Sequence, residues 1–133
     1  MTKPIQLAVL IDDEKIDQRQ YQRIINKSGL VEEVLVFTYA DEALEHLKAN
    51  PQLEVDVILL DINIPRMDGF QFLEAATREI GEGFAKSVVV MITTSLNPED
   101  KARAMSFDVV KEFINKPLTV EHVKQIAALI ASH

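Results

Sequence analysis

Short, largely unbroken apolar runs alternate with segments of helical period along the whole chain, and this alternation restricts the fold more than any other feature. Residues 7–11, 34–37, 55–60 and 88–93 form four such runs, the pattern of strands covered on both faces. Residues 113–115 make a shorter fifth. Between the runs, Ala40, Ala43, Leu44 and Leu47 are spaced i, i+3, i+4, i+7, an amphipathic helical stripe. Leu73, Ala76 and Ile80 form another after Gly69. Ile16, Tyr21, Ile24 and Ile25 mark an earlier helix that closes at Gly29, a residue suited to a left-handed cap. Asn97-Pro98-Glu99-Asp100 carries a cap residue, proline at the first helical position and acids in the first turn. Ala102 and Met105 give that helix a thin apolar face, and Thr119 caps a last helix bearing Val120, Val123, Ala127 and Ile130. Five β-α units in succession predict one parallel sheet with right-handed crossovers and helices on both sides. Sites in such sheets form beyond the carboxyl ends of the strands.

Carboxylates stand at those ends. The run Leu7-Ala8-Val9-Leu10-Ile11 stops at Asp12-Asp13, and Val55-Asp56-Val57-Ile58-Leu59-Leu60 stops at Asp61. If the two runs are neighbouring strands, three like charges converge. Two unit charges ~4 Å apart repel by roughly 4 kcal/mol at an effective dielectric near 20, so the group requires a dication, a proton or a nearby cation. Carboxylates with a backbone carbonyl and water suit Mg²⁺, a hard, oxygen-preferring ion. His46, His122 and His133 are scattered and offer no competing softer site. Lys116, in Phe113-Ile114-Asn115-Lys116-Pro117, is the candidate local cation, and Pro117 allows a cis bond there. Thr93 ends the fourth run with a hydroxyl directed at the same edge, while Pro65 and Gly69 punctuate the loop after Asp61. A carboxylate beside a dication can attack phosphorus, with the ion offsetting the charge of the incoming phosphoryl oxygens.

Composition excludes several alternatives. At 133 residues and 47% hydrophobic content the chain reads as one globular domain spanning residues 1–133. A net charge of −7 argues against direct nucleic-acid binding. Without cysteine there is no disulfide and no thiolate metal site, which fits a cytoplasmic location. No run approaches the ~18 apolar residues of a membrane span, and residues 7–11 are too short for a signal-peptide core.

These residues, in this order, resemble the receiver domains of two-component response regulators over essentially the full chain. The resemblance rests on Asp12-Asp13, on Asp61 in Leu59-Leu60-Asp61-Ile62-Asn63-Ile64-Pro65-Arg66-Met67-Asp68-Gly69, on Thr93 and on Lys116-Pro117. It implies a flavodoxin-like, doubly wound, three-layer fold with five parallel strands in the order 2-1-3-4-5 and five helices. It implies Asp61 as phosphoryl acceptor, with Asp12, Asp13, Asp61 and the Asn63 carbonyl holding Mg²⁺. Thr93 and Lys116 would contact the phosphoryl group, Thr93 and Phe113 would form the conformational switch, and Asn63 and Ser95 would tune water access. The phosphoryl donor would be a sensor histidine kinase or a histidine phosphotransfer protein, and the output a downstream protein target, with homodimerisation through the last helices. The chain departs from the family in lacking Gly-Ala before Phe113 and in carrying Ala40 where glycine is frequent.

The short stretch after the last helix makes a stand-alone receiver the leading expectation, similar to the chemotaxis regulator, with a relay intermediate or a piece of a longer regulator as alternatives. Such a protein is no enzyme beyond its own phosphoryl uptake and loss. Aspartyl-phosphate phosphatases usually carry Asp-x-Asp after the first strand, whereas Asp12 and Asp13 are adjacent. A flavodoxin would need a phosphate-cradling loop where those two charges stand.

Overall fold

The computed structural model describes residues 3–133. Five strands, β1 (Ile5–Ile11), β2 (Val31–Phe37), β3 (Val57–Leu60), β4 (Val89–Thr93) and β5 (Val110–Asn115), form one sheet in the order β2-β1-β3-β4-β5. Every neighbouring pair is parallel. Helices α1 (Lys15–Ser28), α2 (Ala40–Ala49), α3 (Gly69–Glu79), α5 (Pro98–Met105) and α6 (Val120–Ala131) alternate with the strands, as expected, and one turn of helix, α4 (Glu82–Ala85), is added after α3.

Side chains alternate across the sheet and build two cores. Val9, Ile11, Ile58, Leu60 and Met91 pack with Ala43, Leu44, Phe72 and Leu73 on one face. Ala8, Leu10, Leu59, Val90 and Ile92 pack with Tyr21, Ile25, Val123 and Ile126 on the other. The sheet is thus the middle of three layers, with α1 and α6 on one side and α2, α3 and α5 on the other. Among the described residues no helix is long and apolar enough to cross a membrane.

The expected caps form. Gly29 closes α1 at φ 70°. The Asn97 side chain accepts the Glu99 N–H at 3.0 Å, with Pro98 following in the first turn. Thr119 accepts the His122 N–H, and His122 Nδ1 accepts the Thr119 N–H at 3.0 Å, so this histidine completes a capping box.

Other boundaries differ from the pattern. β2 and β5 begin earlier than their apolar runs, at Val31 and Val110. They are the two edge strands, which need less apolar cover and carry charges (Glu32, Glu33, Lys111, Glu112) that discourage further pairing. β3 begins later, because the Asp56 carboxylate turns to accept the N–H groups of Gln6 (2.7 Å) and Leu7 (3.1 Å). Ile16 is 67% exposed, and Gln18 is buried in its stead, its amide donating to the Asp12 carbonyl at 2.5 Å. In α5 the buried residue is Ala104, while Ala102 and Met105 face solvent, contrary to the expected stripe. The extra helix α4 exists because Phe84 packs edge-on against Phe72, with ring centroids 6.1 Å apart.

One close approach positions the site. Gly69 donates its N–H to the Ile62 carbonyl at 2.8 Å, drawing the start of α3 against the end of β3. A Cβ there would lie 2.6 Å from the Asp61 carbonyl oxygen and 3.0 Å from Ile62 Cα, both backbone atoms that cannot swing aside. Gly69→Ala should therefore lower unfolding stability by about 1–3 kcal/mol, read as a lower urea midpoint at unchanged slope. Gly83→Ala is the control: its Cβ would meet only Ile80 Cγ2 at 3.5 Å, and no loss is expected.

Candidate functional site

The register of β1 and β3 pairs Ile11 with Leu60, so the residues that follow leave the sheet side by side. The Asp61 N–H donates to the Ile11 carbonyl at 3.1 Å, and the Asp12 N–H to the Phe37 carbonyl at 3.1 Å. Both aspartates are buried, at 1% exposure for Asp12 and 6% for Asp61, while Asp13 is half-buried. One carboxylate oxygen from each of the three lies within 4.8 Å of the others. The convergence expected from the strand ends is present.

Lys116 reaches the trio from the end of β5. Its backbone N–H donates to the Thr93 carbonyl at 2.9 Å, and the Lys116-Pro117 bond is cis. Its Nζ lies 3.2 Å from Asp12 Oδ2, 3.0 Å from Asp61 Oδ2 and 2.7 Å from Asp17 Oδ2. Asp17 was not anticipated. The available signal is its place in the chain, in the first turn of the helix that directly follows Asp12-Asp13 at the strand end.

Burial dominates the electrostatics. It raises the Asp12 carboxyl from 3.8 to about 6, against the Glu14 N–H and the Lys116 ammonium, which favour the anion. Asp61 is raised for the same reason, opposed by Lys116 and by the backbone N–H groups of Asn63 and Ile62. Burial also works against the Lys116 ammonium, but hydrogen bonds to Asp17 and Asp61 outweigh it and hold the amine above its ordinary range. Behind Lys116, burial pushes the Tyr21 phenol upward, and its hydroxyl is buried without a hydrogen-bond partner among the described residues. One ammonium does not compensate the carboxylates fully. Hard oxygen donors gathered this closely, still short of positive charge, fit an oxygen-preferring dication.

The remaining candidates sit around this cluster. Thr93 is fully buried at the end of β4, and its Oγ1 accepts the Ser95 N–H at 3.1 Å. Ser95 spends its hydroxyl on Asp100 of α5, donating to Oδ2 at 2.5 Å. Phe113 is half-buried beside Met91 in β4, on the sheet face that Thr93 shares by alternation. Asn63 is exposed in the loop after Asp61. That loop is tied to α2 by Arg66, at φ 73°, which pairs with Asp41 and lies 3.9 Å over the Tyr39 ring. A cavity of about 450 Å³ opens near Leu47, Leu53 and Phe84, at the opposite ends of the strands, away from the carboxylates.

Known proteins share this fold. The family model described as the response regulator receiver domain matches residues 8–128. Two-component response regulator 24 of Arabidopsis thaliana is 29% identical over 119 residues, covering 90% of this chain and 79% of that one. The solved two-component response regulator from Cytophaga hutchinsonii superposes with a TM-score of 0.92 at 27% identity, covering 99% of this chain and 100% of its own. The phosphorylated cyanobacterial phytochrome response regulator RcpA aligns with a TM-score of 0.74 at 26% identity over 96% of this chain and 90% of its own. Several other curated relatives are much longer, and the chain spans 14% of the sensor histidine kinase CheAY of Helicobacter pylori.

Burial of Asp12 has a measurable consequence without metal. Between about pH 4 and pH 6 the folded chain keeps a proton on Asp12 that the unfolded chain has already lost. The Asp12 contribution to stability therefore falls as pH rises through that window and stays low above it. Asp12→Asn removes the penalty. In chelator-treated protein it should match wild type near pH 4 and exceed it by about 3 kcal/mol at neutral pH, measured by urea unfolding. A variant no more stable than wild type at neutral pH would overturn the burial argument.

Proposed function

The chain belongs to the response regulator receiver family of two-component systems, and from that premise we propose that Asp61 is its phosphoryl acceptor. The observation that carries this reading is the Lys116 ammonium 3.0 Å from Asp61 Oδ2, beside the carboxylates of Asp12 and Asp13. Asp12, Asp13 and Asp61, with the backbone carbonyl of Asn63, would hold Mg²⁺, which supplies charge compensation between the acidic nest and the incoming phosphoryl oxygens.

A carboxylate oxygen of Asp61 bonds to phosphorus as the bond to the donor breaks, and the electron pair leaves with the donor's imidazole. Lys116, whose ammonium can reach Asp61, donates hydrogen bonds to a phosphoryl oxygen once that group is in place. The Thr93 hydroxyl turns toward the same group, and Phe113, next along the same face, moves into the space released. A new charge near −1.5 to −2 selects between two packings that differ by only a few kcal/mol. Asn63, two residues beyond the acceptor, and Ser95, two beyond Thr93, tune water access to the acyl phosphate.

The donor is a sensor histidine kinase or histidine phosphotransfer protein. The read-out is a protein target, or a second copy of the chain, meeting α5, β5 and α6. The domain works in the cytoplasm, binds no nucleic acid directly, and catalyses no reaction beyond its own phosphorylation and dephosphorylation.

Incubation with acetyl phosphate and Mg²⁺ followed by intact-mass measurement tests the assignment. One base-labile phosphoryl adduct is expected, absent in Asp61→Asn and after chelation. An adduct of equal yield in Asp61→Asn would move the acceptor elsewhere, and no adduct on wild type would retire the reading.

A further inference from the structure

Three carboxylates touch the Lys116 ammonium, and they are not equivalent. Asp12 and Asp61 also belong to the trio that suits a dication, whereas Asp17 does not. Yet Asp17 makes the shortest of the three contacts, at 2.7 Å. A dication entering the trio would therefore share two of its ligands with an ammonium group. Like charges at that separation repel, so the ammonium must either leave or compete.

Asp17 offers it a third course. The carboxylate projects from the first turn of α1, and the helix that carries it is anchored from both sides. Tyr21 and Ile25 anchor the helix in the core, and the Gln18 side chain ties its first turn to the Asp12 carbonyl at 2.5 Å. Gln18 also donates to the Thr38 hydroxyl at 3.3 Å, joining the start of α1 to the end of β2. Asp17 thus keeps a set distance from the acidic trio. The ammonium can draw back from Asp12 and Asp61 and retain an ion pair in a site where the lysine side chain is only 13% exposed.

We propose that Asp17 is a positioning residue that holds Lys116 aside while a divalent cation occupies Asp12, Asp13 and Asp61. It acts through the lysine and not on the metal. The inference rests on the reading of the trio as a Mg²⁺ site, and it adds a residue that raises cation affinity without ligating the cation.

The test is a Mg²⁺ titration of the full chain, followed by calorimetry and by tyrosine emission. The emission is informative because the chain lacks tryptophan and the Tyr21 ring centroid lies 5.9 Å from Lys116 Nζ. Asp17→Asn should weaken Mg²⁺ binding at least about threefold, since the ammonium then has only metal ligands as partners. Asp17→Glu should restore most of the affinity. In a Lys116→Met background Asp17→Asn should lose its effect, because no ammonium remains to be held. Wild-type affinity in Asp17→Asn overturns the proposal, as does an equal loss in the Lys116→Met background, which would mark a general charge effect. Wild type that binds no Mg²⁺ and takes up no phosphoryl group fails the parent reading instead. Wild type that does both while Asp17→Asn shifts nothing fails this inference alone.

Discussion

Like charges held together beyond the ends of two buried strands are the constraint on which the rest of this structure depends. Asp12 and Asp61 are nearly inaccessible to water, and burial raises both carboxyls toward the neutral form. Lys116 opposes that trend by bridging them, but it shares its single charge with Asp17. A fold seeking only stability would place apolar groups here, since a buried ion pair seldom repays its desolvation. Three carboxylates on one ammonium, with Asp13 beside them, leave the site short of positive charge, and on the proposed reading that shortage makes it responsive to a dication and to an electrophilic phosphoryl group.

The sheet supplies the geometry that keeps the charges from separating. Parallel register between β1 and β3 sends Asp12 and Asp61 out at the same level, with backbone hydrogen bonds to Phe37 and Ile11 at their roots. Gly69 then clamps α3 against the Asp61 carbonyl, with no room for a side chain. On the far side, the bond from the Lys116 N–H to the Thr93 carbonyl brings the lysine in at the end of β4. Asp12 and Asp61 are also held at their carboxylates by backbone N–H groups, of Glu14 for Asp12 and of Ile62 and Asn63 for Asp61, so these two buried charges are not free to swing into solvent.

Much of this was legible in the sequence because it is written in local pattern. Continuous apolar runs marked the central strands, cap residues marked α5 and α6, and residues of the site fell at strand ends. The failures share one cause, that tertiary neighbours overrode the local signal. β2 and β5 extend through charged residues because edge strands tolerate them. Ala104 replaced Ala102 and Met105 in the core through the orientation that α5 takes on the sheet. The short helix α4 forms around Phe84, whose partner Phe72 lies on another helix. Asp17 escaped notice because its importance comes from Lys116, 99 residues away in sequence. Ser95 carried a family role in the sequence reading, but its bond to Asp100 required the placement of α5.

That bond ties the acidic site to a weakly anchored helix. Of the α5 residues, only Ala104 is buried. The helix is otherwise fastened by the Ser95–Asp100 hydrogen bond, by Arg103 stacked 4.2 Å over the Phe70 ring, and by an exposed Arg103–Glu74 pair at 3.5 Å. Exposed ion pairs contribute little, roughly 0–1 kcal/mol, and a cation over an aromatic ring a similar amount. Thr93 accepts the Ser95 N–H, so a turn of the Thr93 hydroxyl toward a phosphoryl group withdraws one support from the segment that leads into α5. An element held mainly by polar contacts of this size can be displaced by the loss of one or two of them, whereas α3, with Phe70, Phe72, Leu73, Ala75 and Ala76 buried, cannot. On the proposed reading, the side of the molecule that moves is therefore set by where apolar burial is thinnest.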